Sequence, residues 1–413
     1  MKQQQQPQLL KGFRDFLPEE KRRRDFVMRK ITDTFERFGF DPIETPTLEY
    51  KETIMGKYGD EADKLVYEFK DKGDRDVALR YDQTVPTARV IASYQNDLPM
   101  PFRRYQTQNV FRADKPQKGR YREFTQCDID IFGSTDPLSD AEILACTYAA
   151  YKSVGFVNVV LRVNDREILI STLSPFATEQ VSVFSIIQSL DKLDKMSRDD
   201  VQGELEKKGL TKEQASACMM AIENVEPSQK LSQILKLAQD LGVDSQSLEF
   251  SPTTARGLDY YTGMIFEVRI PGYEVGSVGG GGRYDNLIND LSGLNMPAVG
   301  MAFGFDRTVE AADALGLLAK QDAKRVLVTV FDENFEEDAA KLANTLRIEG
   351  ISTELYPRRA DLSKQLKYAD KKGIQYAVVW GSQERDAGLA TLKDLKSGVQ
   401  QKLTIQDLVS FLT

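Results

Sequence analysis

The stretch FRADKPQKGRYREFTQCDIDIFG, Phe111–Gly133, decides the fold. Its second half alternates. Cys127, Ile129 and Ile131 point one way, and Phe124, Gln126, Asp128 and Asp130 point the other, as successive residues of a strand must. Its first half is a basic turn around Pro116 and Gly119, with Arg112 before it and Arg120 and Arg122 beyond it. Two strands joined by such a loop aim Arg112 and Arg120 into one cleft. Arginine binds phosphate bidentately and keeps its charge, and Phe124 offers a flat apolar face to a purine. Gln126 and Asp130 share a face, roughly 13 Å apart along it, so they can grip opposite ends of a small polar ligand. The competing reading is an exposed antiparallel face.

Four further segments carry candidate chemistry. In RGLDYYTGMIFEV, Arg256–Val268, polar groups lead into an apolar strand. A fixed guanidinium at Arg256 can stabilise charge on a phosphate. Tyr260 and Tyr261 can hydrogen-bond a polar ligand while packing their rings. A structural ion pair between Arg256 and Asp259 is the alternative. In SVGGGGRYDNLI, Ser277–Ile288, four successive glycines allow a close backbone approach or a tight bend. This is not the GxGxxG dinucleotide pattern, and taken alone the run favours a flexible hairpin. In PAVGMAFGFDR, Pro297–Arg307, Gly300 and Gly304 line a wall from which Arg307 projects. In LRYDQTVPTARV, Leu79–Val90, Asp82 and Thr84 would share one face of a strand. A carboxylate and a hydroxyl there suit an ammonium group; a strand-end turn before Pro86 is the alternative.

Composition narrows the chemistry. The 413 residues contain no histidine, which removes Ser–His and Cys–His nucleophiles and His-ligated metals. Carboxylates, Arg, Lys, Tyr, backbone groups or a carboxylate-held metal must do any work. Cys127, Cys146 and Cys218 are too scattered for a disulfide framework or a zinc motif, which fits a reducing cytosol. No run of about 18 apolar residues suggests a membrane span, and the opening MKQQQQPQLL lacks the apolar core of a secretory signal. A net charge of −8 argues against broad non-specific nucleic-acid binding. It leaves room for local basic patches: Arg103–Arg122 holds seven Lys/Arg against one acid, and Arg358–Lys372 six against two.

The length predicts two or three domains. Val27, Ile31, Phe35 and Phe38 mark a helix over Glu19–Phe38 that Gly39 ends, followed by a proline-bounded extended piece, PIETP. Residues 172–250 read as a helical insertion, with helices over Gln214–Val225 and Lys230–Leu241. A linker is expected near Gly316–Ala323. Beyond it, RVLVTVF, ISTELY and YAVVWG alternate with helical stretches, a small α/β domain with a largely parallel sheet and no catalytic constellation.

Taken in order, these blocks resemble the histidyl-tRNA synthetases, a family of class II aminoacyl-tRNA synthetases, over nearly the full length. KGFRDFLPEE is similar to the family's opening, PIETP to motif 1, Phe111–Gly133 to motif 2 and GMAFGFDR to motif 3. RGLDYYTG and GGGGRYDNL resemble the two blocks that distinguish the histidine enzymes, and the last ninety or so residues, through LATLKDL, resemble the anticodon-binding domain. The resemblance implies an α+β catalytic domain over residues 1–319, built on the class II antiparallel sheet with flanking helices. That domain would be interrupted by the helical insertion at 172–250 and followed by an α/β anticodon-binding domain at 320–413. It implies that histidine and ATP form histidyl-adenylate and pyrophosphate, with transfer to tRNA and release of AMP. Arg112 would contact the α-phosphate, Arg120 and Arg307 the outer phosphates, and Phe124 the adenine. Arg256 would stabilise the α-phosphate transition state beside the bound histidine. Asp82, Thr84 and Gln126 would hold the amino acid's backbone groups, and Asp130, Tyr260 and Tyr261 the imidazole. Mg²⁺ with ATP, a cytoplasmic homodimer and tRNA(His) as partner are implied too. Thr125 departs from the larger ring residue of many relatives. A histidine-sensing regulatory subunit related to this family is the alternative, but such proteins generally lack the anticodon domain and lose catalytic residues. Here Arg112, Arg256 and Arg307 are all present. A general RNA-binding module fits the acidic charge poorly.

Overall fold

The computed structural model describes residues 7–55, 63–117, 119–194, 196–255, 260–318, 324–330 and 333–413. The chain divides into two compact units, Met1–Leu318 and Ala319–Thr413.

In the first unit, helix α1 (Pro18–Arg37) starts with Pro18 at its first turn, carries Glu19 and Glu20 there and Arg37 in its last turn, all favourable to the helix dipole. It buries Val27, Ile31 and Phe35. Strand β1 (Asp41–Pro42) follows. Strands β2 (Leu48–Tyr50), β3 (Glu68–Lys70) and β4 (Asp76–Leu79) form a small antiparallel sheet. Helix α2 (Thr84–Tyr94) then leads to the long hairpin of β5 (Phe102–Phe111) and β6 (Glu123–Phe132). Helix α3 (Pro137–Val154), strand β7 (Val160–Asp165) and helices α4 (Arg166–Leu173), α5 (Val183–Leu190), α6 (Arg198–Lys208), α7 (Lys212–Glu223) and α8 (Gln229–Asp240) come next. Strands β8 (Leu248–Phe250), β9 (Met264–Arg269), β10 (Gly279–Arg283) and β11 (Ala298–Gly304) and helix α9 (Phe305–Ala314) complete the unit.

The main sheet has the order β1-β5-β6-β11-β10-β9-β7-β8. Its six inner strands pair antiparallel, while β1 runs parallel to β5 and β8 parallel to β7. One face carries the core: Cys127, Ile129, Ile131, Val299, Met301 and Phe303 pack under apolar residues of α1, α3 and α8. The other face of β5 and β6 is polar but buried, with Arg104, Gln106, Asp128 and Asp130 all nearly inaccessible. The exposed-face alternative therefore fails. Buried polar groups persist only where partners meet them, and those partners build the site described below. Helices α4 to α7 enclose a core of their own, with Leu169, Ile186, Val201, Leu205, Ala215 and Met219 at its centre.

Two local expectations are corrected. Asp82 and Thr84 do not share a strand face: β4 ends at Leu79 and Thr84 opens α2. The Asp82 carboxylate accepts a hydrogen bond from the Val85 N–H at 3.1 Å, meeting one of the free donors of a helix start. Pro86 falls in the first turn, where it costs no helical hydrogen bond. The glycine run is no hairpin bend. Gly279–Arg283 is a central strand between β9 and β11. A Cβ on Gly281 would lie 2.0 Å from the Gly300 carbonyl oxygen, so the absent side chain keeps adjacent strands in register.

The second unit has a five-stranded sheet in the order β13-β12-β14-β15-β16, with β12 (Arg325–Val328), β13 (Ser352–Leu355), β14 (Tyr376–Val379), β15 (Ala390–Asp394) and β16 (Gln400–Leu403). Helices α10 (Glu336–Ile348), α11 (Leu362–Lys371) and α12 (Ile405–Leu412) accompany it. The first three strands are parallel, as expected, but β15 and β16 add an antiparallel hairpin. The sheet is therefore mixed rather than largely parallel. Ala390 and Leu392 face the core while the rest of ATLKD is only partly covered, a weak apolar signal in the sequence.

Candidate active site

Strand register builds the site floor. Arg104 of β5 lies opposite Asp130 of β6, Asp130 opposite Gly300 of β11, and Gly300 opposite Gly282 of β10. Arg104 pairs with Asp130 at 2.5 Å, close as an ion pair but not aligned as a hydrogen bond. Tyr284, just past β10, donates its hydroxyl to the other Asp130 oxygen. Burial pushes the Asp130 carboxyl up, with Arg104 pulling the other way. Gly300 leaves the room Asp130 occupies: a Cβ there would sit 1.7 Å from Asp130 Oδ1.

Tyr260 completes this polar cluster. Its ring lies 4.6 Å from that of Tyr261 and 5.9 Å, edge-on, from that of Tyr284. Burial raises the Tyr260 phenol well above its ordinary range, and Tyr261, Asp82 and Asp130 push it the same way. It is therefore a neutral hydrogen-bonding group among acids. Asp128, between Gln126 and Asp130, is raised well above the carboxylate range by burial, with Asp130 and Asp82 adding to it and Arg104 and Arg112 opposing.

Beyond Gln126 the site opens into a cavity of about 340 Å³ lined by Arg112, Arg120, Phe124, Gln126, Gly304 and Arg307, among others. Arg112 donates from Nε to the Tyr81 carbonyl at 3.1 Å. Its guanidinium lies 4.3 Å from the Tyr81 ring centre and 5.2 Å from that of Phe124, so the aromatic faces fix its plane. Arg307 donates to the Ser277 carbonyl at 3.0 Å. Arg120 is largely exposed, 3.7 Å from Asp114. The Gln126 side-chain oxygen is buried without a hydrogen-bond partner among the described residues, and the residue lines the cavity. Gln83 spans the carbonyls of Gln108 and Gln126 at 3.0 and 3.1 Å, tying the start of α2, with Asp82 and Thr84, to the hairpin.

The expected residues Arg112, Arg120, Phe124, Gln126 and Arg307 thus line one cavity, while Asp82, Asp130, Tyr260 and Tyr261 form a second group, linked to the first by β6, which carries both Gln126 and Asp130. Arg256 and Asp259 lie outside the described residues. Thr125 takes no part in the Asp130 cluster: its hydroxyl donates to Asn109 Oδ1 at 2.9 Å. Sequence reasoning missed Arg104 and Tyr284. Arg104 is two residues before Gln106 in a strand whose alternation offered a signal, and Tyr284 stands in the glycine-run segment itself. Their long-range pairing with Asp130 leaves no spacing pattern.

An antiparallel sheet with a basic hairpin arginine at one edge of its cleft and another arginine on the helix after its last inner strand, with no phosphate-cradling loop among the described residues, defines a class II aminoacyl-tRNA synthetase. The histidyl-tRNA synthetase family model matches residues 12–308, and the anticodon-binding-domain model matches residues 325–413. The chain belongs to the histidyl-tRNA synthetase family. It is 37% identical to the histidine–tRNA ligase of Cytophaga hutchinsonii, covering 98% of this chain and 99% of that one. It is 39% identical to the histidine–tRNA ligase of Gloeobacter violaceus, over 95% and 96% respectively. The crystal structure of histidyl-tRNA synthetase from Nostoc sp. PCC 7120 superimposes with a TM-score of 0.86 at 30% identity over 98% of both chains. A Bacillus halodurans protein described as an ATP phosphoribosyltransferase regulatory subunit/histidyl-tRNA synthetase shares the fold, with a TM-score of 0.73 at 24% identity over 88% of this chain and 97% of that one.

Proposed function

We propose that this chain is an ATP-dependent histidine–tRNA ligase in which the cavity binds ATP and the Asp130 cluster binds histidine. The observation that carries the reading is that β6 runs through both halves: Gln126 lines the cavity, and Asp130 lies four residues further along the same strand. A phosphate-binding arginine set sits at one end, and an acid paired with Arg104 and Tyr284 sits at the other.

The histidine carboxylate attacks the α-phosphorus. The new P–O bond forms as the bond to the β-phosphate oxygen breaks, and pyrophosphate leaves toward Arg120 and Arg307. Arg112 and Arg256 stabilise the charge on the α-phosphate. The substrate carboxylate is itself the nucleophile, so a chain without histidine needs no imidazole base; positioning and electrostatics suffice. Phe124 stacks on adenine, and Asp82, Thr84 and Gln126 hold the ammonium and carboxylate of histidine. Asp130, Tyr260 and Tyr261 read the imidazole, which offers one donor and one acceptor. A site built for both leaves an isostere unpaired. A hydroxyl of the terminal tRNA adenosine then takes the histidyl group, and AMP departs.

Mg²⁺ would accompany ATP as the counter-ion of its phosphates. Among the described residues no group of three or more His, Cys, Asp or Glu side chains could hold a metal, so the phosphates would carry it. Residues 1–319 form the catalytic domain, interrupted at 172–250, a span whose helices α5 to α7 share a core apart from the main sheet while its end, α8 and β8, returns to that sheet, and residues 320–413 bind the anticodon. The motif 1 segment supports a homodimer. No described helix is long and apolar enough to cross a membrane, and the family's work with tRNA supports a cytoplasmic location. The test is ATP–pyrophosphate exchange with each of the twenty amino acids, followed by charging of total tRNA. Exchange with histidine alone is expected. Absence of exchange, as in a histidine-sensing regulatory subunit, refutes the reading.

A further inference from the structure

The opening segment KGFRDF, Lys11–Phe16, is used by no step above, yet it lies across the stem of the basic loop. The Arg122 N–H donates to the Gly12 carbonyl at 2.9 Å, and its guanidinium to the Lys11 carbonyl at 3.3 Å. Gly12 adopts φ +91°, and a Cβ on it would lie 2.8 Å from Arg122 Cγ. Only glycine fits so close a crossing in that conformation.

Two residues on, Arg14 makes two distinct contacts. Its guanidinium carbon lies over the Tyr121 ring, 3.3 Å from the ring centre, and it donates to Asp306 at 2.7 Å. Asp306 is a junction. The same oxygen accepts from Arg24 at 2.6 Å, and the other accepts the Thr125 N–H at 3.3 Å. Tyr121 is also held at its far end, where its hydroxyl donates to Glu310 at 3.0 Å; Tyr273 donates to the second Glu310 oxygen at 3.1 Å. Burial, with Glu310 adding to it, raises the Tyr121 phenol and lifts Tyr273 to about 12, so both remain protonated donors.

The two residues that Arg14 touches adjoin the two arginines assigned to the outer phosphates. Tyr121 follows Arg120, and Asp306 precedes Arg307. Both pairs line the ATP cavity. Nothing in this set touches Asp130, Tyr284 or Tyr260.

We propose that Arg14 is a positioning residue for the triphosphate end of ATP: it clamps the basic loop to the start of α9 and thereby sets Arg120 and Arg307 at a fixed separation. This rests on the assignment of those two arginines to the outer phosphates. Without the clamp, the loop keeps only the Tyr121–Glu310 tie to α9, Arg120 is held less closely and the phosphate grip loosens, while the histidine end keeps its own support.

The test is steady-state ATP–pyrophosphate exchange by Arg14→Ala and Arg14→Lys, with KM measured separately for ATP and histidine and with AMP as a competitor that lacks outer phosphates. Arg14→Ala is expected to raise KM for ATP about tenfold, with KM for histidine within about twofold and AMP inhibition unchanged. Arg14→Lys keeps a cation against Asp306 but loses the guanidinium over Tyr121, so the same split is expected at smaller amplitude. A Lys variant with unaltered KM for ATP overturns the proposal, whatever the Ala variant does. So does an equal rise in both KM values, which marks general loosening. Arg307→Ala separates the two levels: if it leaves KM for ATP unchanged, the phosphate assignment itself fails.

Discussion

Gly300→Ala adds one methyl group at the floor of the proposed histidine pocket. The new Cβ would lie 1.7 Å from Asp130 Oδ1, 2.5 Å from its Cγ and 2.7 Å from the Ile129 carbonyl oxygen. The first contact is roughly 1.5–2 Å inside van der Waals distance, too deep for small relaxation. The carbonyl belongs to the neighbouring strand, so the sheet cannot yield without losing register. The carboxylate must turn away, and that separates it from Arg104 at 2.5 Å and from the Tyr284 hydroxyl. Splitting a buried ion pair costs on the order of 3–5 kcal/mol, which sets the scale of lost stability. A displaced Asp130 also no longer meets the imidazole. Losing a hydrogen bond to a charged group is worth about 1.5–3 kcal/mol, or roughly 10- to 150-fold in histidine affinity. Thermal melts and calorimetric titration with L-histidine measure the two effects, with KM for ATP expected to change far less. Wild-type histidine affinity in a Gly300→Ala protein would refute both the role of Asp130 and the geometric reason for the glycine.

Tyr284→Phe removes the donor to Asp130 and is expected to weaken histidine binding by about 10-fold without changing KM for ATP; an unchanged affinity would count against the cluster. Asp128→Asn probes pH. Burial holds the folded carboxyl above its ordinary value, so the folded chain takes up the proton first and loses stability as pH rises from about 4 through the raised value. The neutral variant should melt higher than the parent at pH 8, with the gap closing toward pH 4; a pH-independent gap would contradict this. Asp140→Ala should destabilise by about 3 kcal/mol in denaturant unfolding, because the Arg283 guanidinium, buried between β10 and α3, loses its Asp140 partner and keeps only Asp285 and the Ser134 carbonyl. A loss below about 1 kcal/mol would show that pair to be dispensable. Arg256→Ala should slow adenylate formation by about 10²–10³-fold, with a smaller effect on histidine binding; near-normal pyrophosphate exchange would remove it from the mechanism.

Much of the architecture was legible because it repeats locally. The four-residue spacing of Val27, Ile31 and Phe35 announced α1 within one residue at each end. The alternation of Cys127, Ile129 and Ile131 fixed which face of β6 meets the core. The basic turn around Gly119 placed Arg112 and Arg120 on one cleft. Where local chemistry was ambiguous, the reading failed. Asp82 and Thr84 suited a strand by spacing, but a carboxylate facing the free N–H of Val85 started a helix. Four glycines suited a bend, but contact with flanking strands made them a strand.

By itself, then, the sequence determined the elements with a clear local repeat, such as α1 and β6, the basic cleft and the absence of imidazole side chains, since each depends on residues near one another in the chain. Tertiary structure alone decided what partners Asp130. Arg104 is 26 positions before it and Tyr284 is 154 positions beyond it, and strand register rather than spacing brings them together. It also decided that Gly300 must lack a side chain and that Arg14 meets Asp306, 292 positions away. Burial makes those pairings matter, because a polar group removed from water is held in place only by whatever the fold sets against it.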